Sequence, residues 1–239
     1  MREPGVHNGY AGRGLHGQVV NELGARIVSG RLAPDESIDV VALESEFDIS
    51  RTVLREALKV LGAKGLVDAR QKRGTFVRPR ADWQLLDVDV LRWRLASQST
   101  GDLLSQLAEV RSIVEPAGAR LAAQRRDEDD LAALTGALDA MAAADPASPE
   151  AVEADLRFHR QLITTSHNEL LVSMAAMIEV ALAARDSLVH KGNAVRDPVS
   201  AHRAVVEAVA GGDPDAAERA VRALLAQAVR DAESLRGDK

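Results

Sequence analysis

The sequence predicts a mainly α-helical protein in two parts, an N-terminal winged helix-turn-helix followed by an all-α helical bundle. Aromatic residues make up only 3% of the chain, whereas alanine, leucine and valine are abundant, a composition that suits closely packed helices. Strand-like runs occur before residue 80, and beyond residue 100 each segment between turn signals has a helical period. With 239 residues, 46% of them hydrophobic, the chain is long enough to form a core in each part.

The first two helices are predicted from periodicity and cap residues. Apolar residues recur every four positions over residues 15–28, and Gly30 with Pro34 ends this helix. Asp39 is suited to cap a second short helix, VVALESEF. Residues 1–14 lack the hydrophobic segment of a signal peptide, so we interpret them as a flexible N-terminus.

A third helix and a hairpin complete the first part, which we place at residues 15–80. Ser50 is suited to cap the third helix, which is predicted to run to Lys64 with Gly65 as its left-handed stop. The strand-like runs LVDAR and TFVRP flank QKRG, whose Gly74 permits a hairpin turn. Three helices followed by a hairpin indicate a winged helix.

Residues 81–98 are predicted to be a linker and residues 99–236 the helical bundle. In the linker, Trp83 and Trp93 are either anchors that hold the two parts together or ordinary core tryptophans. Turn signals such as Asp-Pro and Gly-Gly separate the helical segments of the bundle. These segments are about 102–124, 127–143, 150–166, 168–190, 199–211 and 213–236.

Composition excludes several kinds of protein. The chain contains no cysteine, which rules out disulfide bonds, thiolate metal sites and a cysteine nucleophile. No apolar run approaches the roughly 20 residues that a membrane span needs. We therefore expect a cytoplasmic protein without a membrane partner.

Positive charge is concentrated in one stretch of a chain whose net charge is −6. Residues 50–80 hold nine Lys and Arg against two Asp and Glu, whereas residues 81–239 hold 17 against 26. A polyanion is thus a plausible partner for the first part, and the second part would repel it.

The third helix carries a cationic stripe. Arg51, Arg55 and Lys59 recur at four-residue spacing, and the helix N-terminus adds partial positive charge and free N–H groups. A phosphate backbone fits this stripe, and guanidinium groups also bind guanine edges. Lys72 and Arg73 are predicted to lie at the hairpin tip, from which they would contact the neighbouring groove of a DNA duplex. A charged stripe alone is also typical of a solvated helix face, and the helix-turn-helix with its basic wing is what favours DNA.

The run SRTVLREALKVLGAKGLVDARQKRGTFV resembles the recognition helix and wing of GntR-type regulators, whose pattern is SRTPVREAL, EGLV and GTFV. The resemblance covers residues 15–80 and departs from the family where Val41 takes the place of a common Arg on the second helix. It implies DNA contacts from Ser50, Arg51, Thr52, Arg55 and Gly74.

The second part resembles the FCD effector-binding and dimerisation domain of the FadR subfamily. The segments that carry this resemblance are LAEVRSIVEPAGARLAA, DLRFHRQL, HNELL and AHRAVVEAVAGGDPDAAERAV, in this order. The linker run WQLLDVDVLRW is similar to that of regulators of the D-galactonate type, which implies a sugar-acid effector. Together the resemblances imply a homodimeric repressor, not an enzyme, that an effector releases from a palindromic operator.

A divalent metal, zinc or similar, is a further candidate partner. Asp155 and His159 lie four residues apart, a spacing that offers two ligands from one helix face to one ion. In many FCD domains an Asp, a His four later and two further His hold a metal, which adds His202 here but places Leu224 at the fourth position. Water or an effector carboxylate would fill that place, and a structural ion pair is the alternative for Asp155 and His159.

Two residues are candidates for effector binding. Arg111 matches an Arg that often faces the cavity in the family and would pair with a carboxylate, or it forms a salt bridge with Glu115 four residues later. Asn168 either hydrogen-bonds to the same ligand or caps the following helix. His167 and His190 are interpreted as surface or capping residues.

Two other functions fit parts of the pattern. The protein is alternatively a metal-responsive regulator in which the ion itself is the signal. A metal-dependent enzyme acting on a sugar acid is the third hypothesis, but no convincing general base accompanies its three ligands in the sequence.

Overall fold

A computed structural model describes residues 10, 12, 14–72, 74–97, 100–146, 148–189 and 198–237. Arg73, His190 and most of the predicted flexible N-terminus lie outside these residues. The chain divides into two compact units, Met1–Leu103 and Leu104–Lys239. None of the described helices is long and apolar enough to cross a membrane.

The N-terminal unit is a winged helix, as the sequence predicts. Strand β1 pairs antiparallel with β2, with Val67 opposite Val77 and Arg70 opposite Gly74. Its elements are α1 (Gly14–Val28), α2 (Val40–Phe47), α3 (Arg51–Ala63), β1 (Val67–Arg70), β2 (Gly74–Val77), a 3-10 turn (Arg80–Asp82) and α4 (Val88–Ala96).

Cap residues set the helix limits as predicted. The Asp39 carboxylate accepts hydrogen bonds from the backbone N–H groups at the start of α2, and the Ser50 hydroxyl accepts one from Val53 N on α3. Gly65 follows α3 with φ +76°, and a Cβ there would lie 2.3 Å from the carbonyl oxygen of Asp82. Only glycine fits this position, so α3 ends where the periodicity indicates.

The segment predicted as a linker is partly a helix of the N-terminal unit. Helix α4 buries Trp93, which is 2% exposed, in the core that α1 and α3 share. Its indole N–H donates to Asn21 Oδ1 over 3.0 Å. Trp83 is partly buried against the same core. Both tryptophans are therefore core residues of this unit.

The second unit is all α-helical. Three of its helices begin with proline, which is favourable at the first helical position because no intrahelical hydrogen bond is lost. The helices are α5 (Thr100–Arg125), α6 (Glu128–Ala143), α7 (Pro149–Thr164), α8 (Glu169–Val189), α9 (Pro198–Ala210) and α10 (Pro214–Gly237). Each lies within three residues of its predicted limits.

Helix α7 lies at the centre of this unit. Phe158 and Leu162 are fully buried in a core to which α5, α6, α9 and α10 contribute. The Ile163 side chain of α7 lies against α5 at Gly118, where a Cβ would lie 2.6 Å from Cδ1 of Ile163. Glu115 on α5 and His159 on α7 lie one turn before these two residues.

Candidate functional site

The cationic stripe of α3 lies on the surface. Arg51, Arg55 and Lys59 are exposed, whereas the opposite face is buried in the core of the N-terminal unit. That buried face consists of Leu54, Ala57, Leu58 and Leu61. The cations therefore share one exposed face of the helix, as predicted, and this face is accessible to a partner.

Acidic side chains of the same unit lie beside two of the three cations. Lys59 Nζ is 2.7 Å from Glu56 Oε1, and Arg51 Nε is 3.8 Å from Glu44 Oε1. Among the described residues, Arg55 has no ion-pair partner. Exposed pairs of this kind are weak because water screens them, so a phosphate can replace them.

The other predicted DNA contacts are also exposed where the structure describes them. Ser50 and Thr52 lie at the N-terminus of α3, and Lys72 and Gly74 lie at the hairpin turn. Lys72 and Gly74 have φ +70° and +75°, the left-handed backbone that a tight turn uses. Val41, at the family's Arg position, is 71% exposed on the first turn of α2.

The second unit contains a cluster of five buried ionisable side chains on three helices. All are at most 9% exposed, so their charges must be balanced within the protein. They are Arg111 and Glu115 on α5, Asp155 and His159 on α7, and His202 on α9.

Asp155, His159 and His202 are brought together as predicted. Each offers one ligand atom, and these atoms lie within 4.8 Å of one another. Asp155 Oδ1 is 3.1 Å from His202 Nε2 and 3.7 Å from His159 Nε2. One carboxylate oxygen and two imidazole nitrogens suit zinc and similar divalent ions, so the three residues fit a metal.

Leu224 cannot complete this set. Its side chain is 7% exposed and packs in the apolar core of the second unit. Three protein ligands leave a coordination position for water or for an atom of a bound ligand.

Glu115 connects Arg111 with His159. Arg111 Nε donates a hydrogen bond to Glu115 Oε1, and His159 Nδ1 lies 2.7 Å from Glu115 Oε2. Burial raises the pKa of Glu115, but attraction to the adjacent His159 and Arg111, and their hydrogen bonds to the carboxylate, outweigh burial and bring this pKa to about 2. Glu115 therefore stays ionised and acts as an acceptor.

The Arg111 guanidinium is not fully used by this salt bridge. Its Nη2 atom is buried and has no hydrogen-bond partner among the described residues. A buried N–H donor without a partner is costly, and an anion would remove that cost. Arg111 therefore forms the predicted salt bridge with Glu115. Its unpartnered Nη2 is compatible with the other interpretation, in which Arg111 binds the carboxylate of an effector.

Asn168 and His167 both make contacts at the N-terminus of a helix. The Asn168 side-chain oxygen accepts hydrogen bonds from Leu170 N and Leu171 N, which caps α8, and its effector role stays a prediction. His167 Nε2 lies 2.7 Å from Asp130 Oδ2, beside the N-terminal cap of α6.

Sequence reasoning missed that Glu115 reaches His159, because the two residues are 44 positions apart. It considered Glu115 only as a partner for Arg111. The available signal was the four-residue spacing of Arg111, Glu115 and Ala119, which places all three on one face of α5.

Comparisons with known proteins agree with this architecture. The model of the gntR family of bacterial regulatory proteins matches residues 15–77, and the FCD domain model matches residues 106–227. The galactonate operon transcriptional repressor of Escherichia coli K12 is 36% identical over 216 residues, which cover 89% of this chain and 94% of that protein. The regulator LutR of Bacillus subtilis is 32% identical over 83% of this chain and 92% of its own length.

A solved structure shows the same fold. Lar, which controls expression of the Listeria monocytogenes agr system, superposes with a TM-score of 0.62 at 21% identity, covering 94% of this chain and 99% of that one. With a winged helix and an FCD domain both matched in sequence, this chain belongs to the GntR family and is a DNA-binding transcription regulator.

Proposed function

We propose that this protein is a homodimeric repressor that binds a palindromic operator in the cytoplasm and leaves it when a sugar acid binds the FCD domain. The exposed cationic face of α3 is the observation that carries the DNA-binding part of the proposal. The similarity to a galactonate operon repressor over nearly its whole length supports D-galactonate or a related sugar acid as the effector.

Arg51, Arg55 and Lys59 would lie against phosphates and base edges in the major groove. Ser50, Thr52 and Gly74 would place backbone and hydroxyl donors near the same phosphates, and Lys72 with Arg73 would reach an adjacent groove. Two units related by a twofold axis would then match two operator half-sites.

The buried cluster would hold the effector. Asp155, His159 and His202 would bind a divalent cation such as zinc, which supplies a Lewis-acidic position for an oxygen atom of the sugar acid. Arg111 would donate from its unpartnered Nη2 to the effector carboxylate, in surroundings where burial strengthens the interaction. An effector that prefers the state with low operator affinity shifts the dimer towards release.

DNA binding is tested with an operator selected by the wild-type protein from a random DNA library. We expect Arg51→Ala and Arg55→Ala each to weaken binding by about 5- to 150-fold, because a lost contact with a base costs about 1–3 kcal/mol. Arg219→Ala, an exposed arginine on α10, serves as the control. Equal affinities for all four proteins in fluorescence anisotropy would contradict this role of α3.

Effector binding is tested by thermal shift with sugar acids, each with and without a chelator. We expect D-galactonate to raise the unfolding temperature of the wild type but not of Arg111→Gln. Stabilisation of both proteins to the same extent would remove Arg111 from the effector site.

A metal-responsive regulator is the second candidate, and the three buried ligand residues favour it. Operator affinity that follows zinc concentration without any organic ligand would select this alternative. We propose no enzymatic activity, because the relatives named above are transcription regulators.

A further inference from the structure

We propose that Glu115 is the positioning residue of the buried cluster, holding the metal ligand His159 with one carboxylate oxygen and the effector-binding Arg111 with the other. This inference rests on the proposed metal and effector site and assigns a role to a residue outside both ligand sets. Glu115 is fully buried, so bulk solvent does not reach either oxygen.

The contact with His159 determines which ring nitrogen is available to a metal. A carboxylate is an acceptor, so Nδ1, at 2.7 Å from Glu115 Oε2, must carry the hydrogen. Nε2 then presents its lone pair on the side of Asp155 and His202. Carboxylates that orient metal-bound histidines in this way also raise the basicity of the ligand.

Glu115 and His159 lie next to a packing contact between their two helices. One turn after Glu115, Gly118 has no side chain, and a Cβ there would lie 2.6 Å from Cδ1 of Ile163 on α7. His159 lies one turn before Ile163 on α7, and its Nδ1 is 2.7 Å from Glu115 Oε2.

The contact with Arg111 orients the other half of the site. Because Nε is engaged by Glu115, the guanidinium plane is fixed and Nη2 remains as an unpartnered donor. One carboxylate therefore sets the position of a metal ligand and of an anion donor. Metal binding and effector binding should depend on each other, because any shift of Glu115 affects both.

Metal affinity of the full-length protein tests the inference. Zn²⁺ affinity is measured by competition with a chromophoric chelator, and Co²⁺ absorption reports the ligand geometry. We expect Glu115→Gln to weaken Zn²⁺ binding by about 10- to 100-fold and to change the Co²⁺ spectrum, as is typical of lost outer-shell partners. Glu109→Gln, an exposed position on the same helix, should bind as wild type does.

Glu115→Gln leaves the buried Arg111 charge without its carboxylate partner, so this variant could fail to fold. Two more variants keep the test decisive in that case. The double variant Arg111→Gln/Glu115→Gln is free of that charge and should show the same loss of metal affinity. Arg111→Gln alone keeps Glu115 but removes its other partner, so it measures how much of that loss comes from Arg111. A loss in the double variant no larger than in Arg111→Gln alone would count against Glu115.

The outcomes separate this inference from the proposed function. If wild type binds Zn²⁺ and both Glu115 variants bind it within about twofold of wild type, Glu115 is not a positioning residue, although the metal site stands. If wild type binds no divalent ion, the metal site fails and this role of Glu115 fails with it.

Discussion

Lys64 at the end of α3 gives the sharpest test of how the N-terminal unit is held together. Its ammonium lies 2.9 Å and 3.0 Å from the two oxygens of Asp87 and 2.6 Å from Asp89 Oδ2. Asp87 also caps α4 by accepting from two backbone N–H groups. Lys64→Met retains most of the side-chain volume but removes the cation between Asp87 and Asp89, and the more distant Arg92, 3.9 Å from Asp89 Oδ1, offsets their charges only in part.

The expected loss of stability follows from the burial of these groups. The side chains of Lys64, Asp87 and Asp89 are 12%, 23% and 14% exposed. Breaking one side of a fully buried pair costs about 3–5 kcal/mol, whereas an exposed pair contributes less than about 1. This partly screened cluster lies between these limits, so we expect a loss of about 2 kcal/mol.

Tryptophan fluorescence in urea is the appropriate assay, because the only two tryptophans of the chain, Trp83 and Trp93, are in this unit. With an m-value of about 1.5 kcal/mol/M, the unfolding midpoint should fall by roughly 1.3 M. Lys59→Met is the control, since Lys59 is 67% exposed beside Glu56. Equal midpoints for the two variants would refute the reasoning.

The pH dependence provides a second check on Lys64. Burial lowers the pKa of Lys64, but its hydrogen bonds to Asp89 and Asp87 outweigh burial and raise this pKa above its ordinary value. The stabilisation should therefore be complete below about pH 10 and disappear as pH rises through the raised pKa. A difference between Lys64→Met and wild type that vanished at neutral pH would contradict this sign.

Three further predictions concern single positions. Val41→Arg should make operator affinity more salt-dependent, by a slope of about one for each added phosphate contact, and an unchanged slope in a salt titration would remove this idea. Gly118→Ala should destabilise the protein by about 1–3 kcal/mol, because its Cβ would meet Ile163, whereas Gly136→Ala on α6 has open space and should stabilise it slightly in thermal unfolding. Asn168→Ala should cost about 0.5–2 kcal/mol through loss of the α8 cap, and a variant of unchanged stability with weakened effector binding would favour the other role.

The limits of most helices could be predicted because the signals are local. Asp39, Ser50 and Gly65 act within one turn of their own helix, and the apolar period of α1 is visible in the sequence itself. The pairing of Asp155 with His159 is equally local, since four residues on a helix determine it.

Features that depend on distant partners were not predictable in this way. Helix α4 packs into the N-terminal unit through contacts such as Trp93 with Asn21, which are 72 positions apart. The short run VDVLRWRLA has no clear apolar stripe of its own, so the sequence alone predicts a linker there. Glu115 and His159, which are 44 positions apart, meet through the packing of α5 and α7 in the folded unit, and no local pattern indicates it.

Two carboxylates of the N-terminal unit compete with DNA for the cations of α3. Glu44 and Glu56 form ion pairs with Arg51 and Lys59. DNA phosphates that bind these two cations must displace the carboxylates. Random sequence offers only phosphates in exchange, whereas a matched operator adds base contacts to the same guanidinium groups. Displacing the two carboxylates lowers the affinity for every site by the same factor, so base contacts at the matched operator must supply the tight binding.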